Sequence, residues 1–302
     1  MKLHFKNPDG TESSQFFYYV PILGTLEKMF QDPIVREEFA NPRVRKPGIL
    51  QDFYDGSVYQ ENEFFHQNVE GLEIILFEDA LEITNLASSA KGKHEIQTVY
   101  MSLGNASPGW RSNSSNIQLV ALCKDKEYEP SFYRPLLTDL KILETEGIEI
   151  FPGKVMKGFL AFKSGDNLGS HRFSGFVENF SRSECFCRYC LLARKDFVPE
   201  FPWFPRRTEV NYNEAAGVLK SNENLESCQG IEFDSEFNEL KFYHVTRGLP
   251  PCLGHDMFEG WAAYDLYLYL KALINRANPW FTFDYINTKI DTFKYSVEDG
   301  QT

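Results

Sequence analysis

Short apolar runs of strand length dominate the chain after Gly71. They occupy residues 72–79 (LEIILFED), 95–104 (EIQTVYMSLG) and 117–124 (IQLVALCK), and each is rich in β-branched or aromatic residues. The links between them contain Gly, Ser, Asn or Pro, which are typical of turns. Three consecutive runs of this kind predict an antiparallel meander.

A helical pattern follows the meander. Residues 131–145 (SFYRPLLTDLKILET) carry apolar side chains at helical spacing, and Gly147 is a stop signal. A fourth strand is predicted at 155–164 and a final long helix at 255–275, so the elements run β, β, β, α, β, α. The last helix is predicted to bury one stripe, formed by Phe258, Trp261, Ala262, Leu266 and Leu273.

The region before the first strand predicts a helical lead. Residues 16–39 have a helical apolar rhythm in which Pro33 opens a second helix, whereas 41–48 indicates a basic linker and 52–68 shows no clear periodicity. We therefore divide the chain into four parts. They are a helical and irregular lead (1–70), the first part of an α/β core (71–180), an insertion (181–251) and a C-terminal part with the last long helix (252–302).

Composition predicts a folded, intracellular protein. A chain of 302 residues with 42% hydrophobic and 15% aromatic content can bury a large core. There is no apolar run of about 18 residues to span a membrane, and the polar first residues do not resemble a secretory signal. We expect no membrane association, and a nuclear or cytoplasmic location.

The net charge of −12 counts against autonomous binding to nucleic acid, because that affinity comes mainly from Lys and Arg at the phosphates. Positive side chains are concentrated between residues 182 and 207, whereas residues 222–239 contain acidic side chains and no Lys or Arg. Two interpretations stay open: a basic patch on an acidic body, or two stretches of ordinary solvated surface.

Three carboxylates fall at places that an α/β fold can bring together. Asp79 ends the first predicted strand, Asp166 follows the fourth, and Glu259 lies in the first turn of the last helix. Carboxylates bind Mg²⁺ or Mn²⁺, and a pair of such ions activates an attacking oxygen and stabilises a leaving one. The alternative is structural: a turn residue, an Asx-turn residue and a partner of the helix dipole.

The cysteine spacing indicates a metal rather than disulfides. Cys187 and Cys190 form a C-x2-C, Cys252 and His255 form a C-x2-H, and a Cys3His set is a usual donor set of Zn²⁺. Such a zinc would fix the start of the helix that carries Glu259, since His255 and Glu259 are four residues apart. The alternative is that these cysteines are reduced and pack as small hydrophobic residues.

The remaining cysteines and histidines are weaker candidates. Cys185 is an alternative zinc ligand, while Cys123 and Cys228 are expected to be structural. Polar surface positions are expected for His94, His171 and His244.

Several segments, taken in order, resemble a known family. They are LFEDALEITNLASSAKGKH, VYMSLGN, LLTDLKILETEGI, SGDNLGSH, CFCRYCLLARKDF and LPPCLGHDMFEGWAAYDLYLYL, together with the N-terminal YVPILGTLEKMF. The chain resembles transposase-derived proteins of animal genomes that are related to the Tnp2-type transposases of CACTA elements and to Plavaka and Kyakuja-Dileera-Zisupton-type transposases.

This resemblance implies an RNase H-like fold with a mixed sheet, and the element order predicted above agrees with it. It implies a DDE transposase that hydrolyses DNA strands at element ends and joins the freed 3′ hydroxyls to target DNA. Asp79, Asp166 and Glu259 match the triad, with Asp256 as the nearest competitor to Glu259. The zinc-ligand positions of related superfamilies match Cys187, Cys190, Cys252 and His255.

The chain departs from the family beside Asp79, where Leu81-Glu82 and residues 85–88 replace the usual Phe-Glu and Asn-Pro-Leu-Gly. The implied partners are element-end and target DNA, reached through a separate DNA-binding domain, and a homodimer is allowed. We interpret the chain as a fragment or a domesticated copy.

Three hypotheses follow: an active DDE enzyme, a catalytically inactive zinc-stabilised interaction module, and a nuclease of the same fold that does not transpose.

Overall fold

The computed structural model describes residues 2–6, 12–40, 46, 48–68, 70–82, 95–124, 130–196, 204–222, 224–276, 279 and 281–294. The chain forms two compact units, Met1–Pro250 and Pro251–Thr302. Most of the predicted linker, loop residues 85–88 and His94 lie outside the described residues.

The first unit is a mixed α/β structure. Its strands are β1 (Lys2–Lys6), β2 (Glu12–Tyr19), β3 (Leu72–Glu82), β4 (Glu95–Leu103), β5 (Gln118–Lys124), β6 (Ile148–Phe151), β7 (Lys154–Met156) and β8 (Gly158–Gly165). The main sheet has the strand order β1-β2-β5-β4-β3-β8, in which β3 and β8 run parallel and the other neighbours antiparallel. Strands β6 and β7 form a separate antiparallel hairpin.

Strand β3 lies inside the main sheet, and its side chains alternate between two faces. Leu72, Ile74 and Leu76 are fully buried on one face, whereas Phe77 is 44% exposed on the other. Because the period is two residues, Glu78 lies on the buried face and Asp79 on the exposed one.

The helices of the first unit are short. They are α1 (Ile22–Met29), α2 (Pro33–Ala40), α3 (Ser57–Gln60), α4 (Glu63–Gln67), α5 (Pro108–Arg111), α6 (Arg134–Thr145), α7 (Asn167–Ser174) and α8 (Glu209–Ser221). Helix α6 contributes Leu136, Leu140 and Leu143 to the core that the buried face of the sheet completes. Gly147 ends this region with φ +81°, and a Cβ there would lie 2.5 Å from the Met156 carbonyl oxygen, so only glycine fits.

The second unit differs from the sequence-based expectation. Residues 253–274 are helical, as predicted for 255–275, but a π-helix (Leu253–Trp261) with non-helical dihedral angles at Gly260 precedes α9 (Ala262–Ile274), so the helix is not regular throughout. Helix α10 (Phe283–Asp291) follows and was not predicted. The predicted buried stripe is wrong: Phe258, Trp261 and Leu266 are 64%, 58% and 57% exposed, and only Leu273 of the predicted large side chains is buried.

The predicted order of strands and helix in the first unit is confirmed. Residues predicted as three strands form β3, β4 and β5, which are a meander, and α6 and β8 follow. Two predictions fail. Residues 16–19 belong to β2 rather than to a helix, and the β6–β7 hairpin was not foreseen, so that Val155 lies in β7 instead of β8. Among the described residues, none of the helices is long and apolar enough to cross a membrane.

Candidate functional site

The parallel strands β3 and β8 each lead to one of the two candidate aspartates. Glu78 of β3 pairs with Gly165 of β8, and each of these residues is followed directly by an aspartate, Asp79 or Asp166. Strand β3 continues to Glu82, so the expectation that Asp79 ends its strand is wrong. The expectation that the two strands are neighbours is confirmed, and it brings the backbones of both aspartates to one edge of the parallel pair.

Asp79 is exposed and held by local hydrogen bonds. Its Oδ1 accepts from the Ala80 backbone N–H at 2.9 Å, and its carbonyl oxygen accepts from the Thr98 hydroxyl at 2.9 Å. Thr98 is the residue opposite Asp79 on β4. Only one carboxylate oxygen is engaged by these bonds, which leaves the other available to a ligand.

Asp166 is the N-cap of α7. Its Oδ1 accepts a hydrogen bond from the Gly169 backbone N–H at 2.6 Å, which is the usual way in which aspartate satisfies a free donor at a helix start. Asp166 therefore has a structural role as a helix cap. This role does not exclude metal binding, because an ionised carboxylate has about four acceptor positions.

A buried charged network that the sequence analysis missed lies on the opposite face, directly under this edge. Glu78 accepts hydrogen bonds from Gln97 and Tyr133, and its Oε2 lies 2.5 Å from the Nζ of Lys163. The ammonium lies 3.8 Å from the centroid of the Phe173 ring in α7. Burial lowers the pKa of Lys163, and the carboxylates of Glu78 and Asp166 oppose that shift.

The cysteine-rich part of the insertion is tied to the same edge. Arg188, between the two predicted zinc ligands of this segment, is 5% exposed and donates a hydrogen bond to the side chain of Asn167. Asn167 follows Asp166 at the start of α7. The insertion therefore contacts the turn that holds one of the candidate metal-binding carboxylates.

The C-x2-C thiols are close to each other and partly buried. Burial raises the pKa of the Cys190 thiol most, and the neighbouring Cys187 thiol raises it further. Cys190 forms a β-bridge with Arg206, and the Leu191 backbone N–H donates to the Pro205 carbonyl at 2.9 Å. This pairing holds the thiol segment against the strand-like stretch before α8.

The predicted basic patch is only partly a surface. Arg182, Arg194, Lys195 and Arg206 are exposed, but Arg188 and Arg207 are 5% and 6% exposed. Both earlier interpretations, a basic patch and a solvated surface, are therefore wrong for these two arginines. Their side chains are buried in the protein.

The C-x2-H residues form a close pair in the second unit. The Cys252 sulfur lies 3.1 Å from Nδ1 of His255, and the His255 backbone N–H is the main cause of the lowered pKa of this thiol. Asp256 accepts a hydrogen bond from the Cys252 backbone N–H at 2.8 Å. Glu259 is exposed in the π-helix, where His255 and Glu259 are no longer separated by a regular α-turn.

The other cysteines and histidines are mostly internal. Cys123 is buried in β5, as expected for a structural residue, and Cys185 and Cys228 are half-buried. His171 is 3% exposed, with Nδ1 2.7 Å from the Val177 carbonyl oxygen, so its predicted surface position is wrong. His244 is half-buried.

Each predicted ligand set takes members from both compact units. Asp79, Asp166, Cys187 and Cys190 belong to the first, and Cys252, His255 and Glu259 to the second. Throughout the described part of the chain, no three His, Cys, Asp or Glu side chains form a group that could hold a metal ion. Cys187 lies close to Cys190 and Cys252 to His255, and the convergence of the complete sets, including that of the two aspartates, stays a prediction.

No family model and no curated protein matches the chain.

Proposed function

We propose that the chain is a transposase-like catalytic domain of RNase H-like fold, which cleaves and transfers DNA strands with the help of divalent cations. The observation on which the proposal rests is the parallel pairing of Glu78 with Gly165, the two residues that directly precede Asp79 and Asp166. The strand order β5-β4-β3-β8, with α6 between β5 and β8 in the chain, supports it.

The candidate residues have the types of donor atom that the proposed metals prefer. Asp79 and Asp166 offer hard carboxylate oxygens for Mg²⁺ or Mn²⁺, and Glu259 completes the proposed triad. When bound at such a site, the cations activate the attacking oxygen and stabilise the leaving one. The chain's own contribution is to hold Asp79 and Asp166 in fixed positions, through the Gly169 and Ala80 amides and the buried Glu78–Lys163 pair.

Zinc is proposed as a structural ion of the insertion. Cys187 with Cys190, and Cys252 with His255, are two pairs of the nitrogen and sulfur donors that Zn²⁺ takes. Its role would be to fasten the insertion, which Arg188 links to the Asp166 turn through Asn167.

The experiment is Mn²⁺-dependent nicking of supercoiled plasmid DNA at low salt, where an acidic chain still meets DNA. Wild type is expected to nick, and Asp166→Asn and Asp79→Asn are expected to lose nearly all activity. Glu214→Gln, an exposed acidic residue of α8, is the matched control and keeps full activity. Equal activity in wild type and Asp166→Asn would refute the enzyme proposal.

A catalytically inactive interaction module is the second candidate, and the apolar surface of the second unit favours it. Tyr264, Leu266, Tyr267 and Tyr269 of α9 are 64%, 57%, 51% and 62% exposed. Large exposed apolar patches are typical of contact surfaces. A wild-type protein that binds zinc and does not nick DNA with either cation would support this candidate instead.

A further inference from the structure

Three cationic side chains of the insertion are exposed and unpaired. They are Arg182, Lys195 and Arg206, and we call them the basic surface. Within the described residues, none of the three charged groups takes part in a hydrogen bond or an ion pair, whereas their backbone atoms do. The basic surface therefore offers its charge to a partner outside the chain.

The acidic stretch of the insertion, at residues 222–239, does not neutralise the basic surface. Three of its carboxylates pair with cations of two helices instead: Glu236 with Arg134 and Glu239 with Lys141 of α6, and Asp234 with Lys220 of α8. These paired charges are balanced within the first unit, so they are not available to the basic surface.

Backbone pairing holds the members of the basic surface in one folded segment. The stretches that carry the first two members are joined, because the Arg194 backbone N–H donates to the Glu184 carbonyl oxygen at 2.7 Å. Arg206 forms a β-bridge with Cys190, which lies in the loop between those two stretches. Glu184 and Asp196 are the described carboxylates of this segment, and its exposed cations outnumber them.

The same segment is attached to the candidate metal-binding edge of the sheet. Arg188, in the loop that pairs with Arg206, donates a hydrogen bond to the side chain of Asn167. Asn167 follows Asp166, one of the two candidate aspartates. In complexes with DNA, contacts to phosphates fix the register and orientation of the duplex. A phosphate-binding surface attached to the Asp166 turn is therefore placed to orient a DNA strand for the proposed reaction.

We propose that the basic surface contacts the phosphates of duplex DNA and positions the strand at the Asp166 turn. The choice of DNA rests on the proposed function, because an unpaired basic surface attracts any polyanion. Each Lys or Arg that contacts a phosphate releases counterions from the DNA, so the affinity falls as the salt concentration rises. Because the whole chain carries a net charge of −12, its affinity for DNA has to come from a local surface such as this one.

The experiment measures binding of the full chain to a short fluorescein-labelled DNA duplex by fluorescence anisotropy. EDTA is present, so that no divalent cation takes part, and the salt concentration is varied from about 25 to 150 mM. The triple variant Arg182→Gln/Lys195→Gln/Arg206→Gln should bind about 10-fold more weakly than wild type at the lowest salt. The slope of log affinity against log salt concentration should become shallower by up to about 3.

The matched control is the triple variant Arg134→Gln/Lys141→Gln/Lys220→Gln. It removes the same number of positive charges, but from side chains that are paired with carboxylates. An effect of net charge alone would be the same in both variants. We expect the control to keep the wild-type slope, and thermal unfolding shows that both variants are folded, since exposed ion pairs contribute little to stability.

Three outcomes overturn the inference: equal weakening in the two triple variants, a wild-type slope in the basic-surface variant, or no binding of DNA by wild type at the lowest salt. Vesicles that contain phosphatidylserine are the second probe. Wild type that binds these vesicles but not DNA would assign the basic surface to a membrane instead.

Plasmid nicking separates this inference from the enzyme proposal. DNA binding through the basic surface without nicking supports the inference and rejects the enzyme proposal. Nicking by wild type, together with unchanged DNA binding in the basic-surface variant, rejects the inference alone.

Discussion

Two buried cations of the first unit differ in how their charge is balanced. Lys163, on β8, is 1% exposed and lies 2.5 Å from a carboxylate oxygen of Glu78. Arg207, in the insertion, is 6% exposed and meets carbonyl oxygens, an aromatic ring and thiols. The sheet region therefore compensates its buried charge with a carboxylate, whereas the cysteine region surrounds its buried cation with carbonyl oxygens, an aromatic ring and thiols.

The balanced pair has a positional role. Replacing a buried ion pair by apolar residues is often neutral for stability, so the Glu78–Lys163 pair is weak evidence for a stabilising role. It does join β3 to β8 at the residue before Asp79 and three residues before Asp166, and it reaches α7 through Phe173. We infer that it fixes the relative position of the two candidate metal-binding strands.

The largest effect on stability is expected when one partner of the Glu78–Lys163 ion pair is removed. Glu78→Gln should lower the free energy of unfolding by about 3–5 kcal/mol, because it leaves the Lys163 charge buried without a partner. The double variant Glu78→Gln/Lys163→Met should recover most of that loss. Urea unfolding of the three proteins measures both values, and equal losses in the single and double variants would show that the pair is not coupled.

A smaller effect is expected for the unbalanced cation. In metal-free protein, Arg207→Gln should cost only about 1 kcal/mol, since a few net hydrogen bonds are lost while an uncompensated charge is removed. The same urea measurement in the presence of a chelator tests this. A loss as large as that of Glu78→Gln would mean that Arg207 already has a counter-charge within the protein.

A pH-dependent effect is expected at the loop that covers the edge of β8. The Gly248 carbonyl oxygen accepts from the Lys163 backbone N–H at 2.9 Å, and the same loop holds His244, whose Nδ1 lies 2.8 Å from the Thr246 hydroxyl. Burial lowers the pKa of His244 below its ordinary 6.5. The folded protein therefore binds this proton less readily than the unfolded chain does.

The sign follows from that difference. Above about pH 6.5, His244 is neutral in both states and its burial costs no stability. As the pH falls from there towards the lower folded pKa, the unfolded chain binds the proton first, and the folded protein loses stability. We expect wild type to lose up to about 1 kcal/mol more than His244→Gln between pH 7 and pH 5. Thermal unfolding at both pH values measures the difference, and parallel losses in the two proteins would refute it.

The smallest effect is expected for an exposed cation. Arg182→Met should change the free energy of unfolding by less than about 0.5 kcal/mol, because the side chain is exposed and its loss leaves no buried group unpaired. A loss near 2 kcal/mol would show that burial is not what distinguishes Lys163 and Arg207 from the other cations.

The sequence predicted what depends on local pattern. The apolar runs of β3, β4 and β5 and the helical spacing of α6 give clear sequence signals, because the sheet and the helix each bury one face. The parallel pairing of β3 with β8 followed from the order of the elements. The run FFYYVPILG is apolar throughout, so its period does not distinguish β2 from a helix.

Long-range pairing explains what the sequence could not predict. Glu78 and Lys163 are visible in the sequence only as charged residues within apolar strands. Nothing in the local sequence shows that their side chains meet on the buried face of two neighbouring strands. Arg207 lies among many charged residues of a segment that was expected to be surface. The π-helix has two glycines, Gly254 and Gly260, whose weak helix preference was outweighed in the prediction by the apolar spacing around them.

The central claim is that Asp79 and Asp166 share a divalent cation, and calorimetric titration with Mn²⁺ tests it most directly. We predict that wild type binds Mn²⁺ and that Asp79→Asn and Asp166→Asn each abolish the same binding event, while Glu214→Gln leaves it unchanged. Wild-type Mn²⁺ binding in either aspartate variant would contradict the claim.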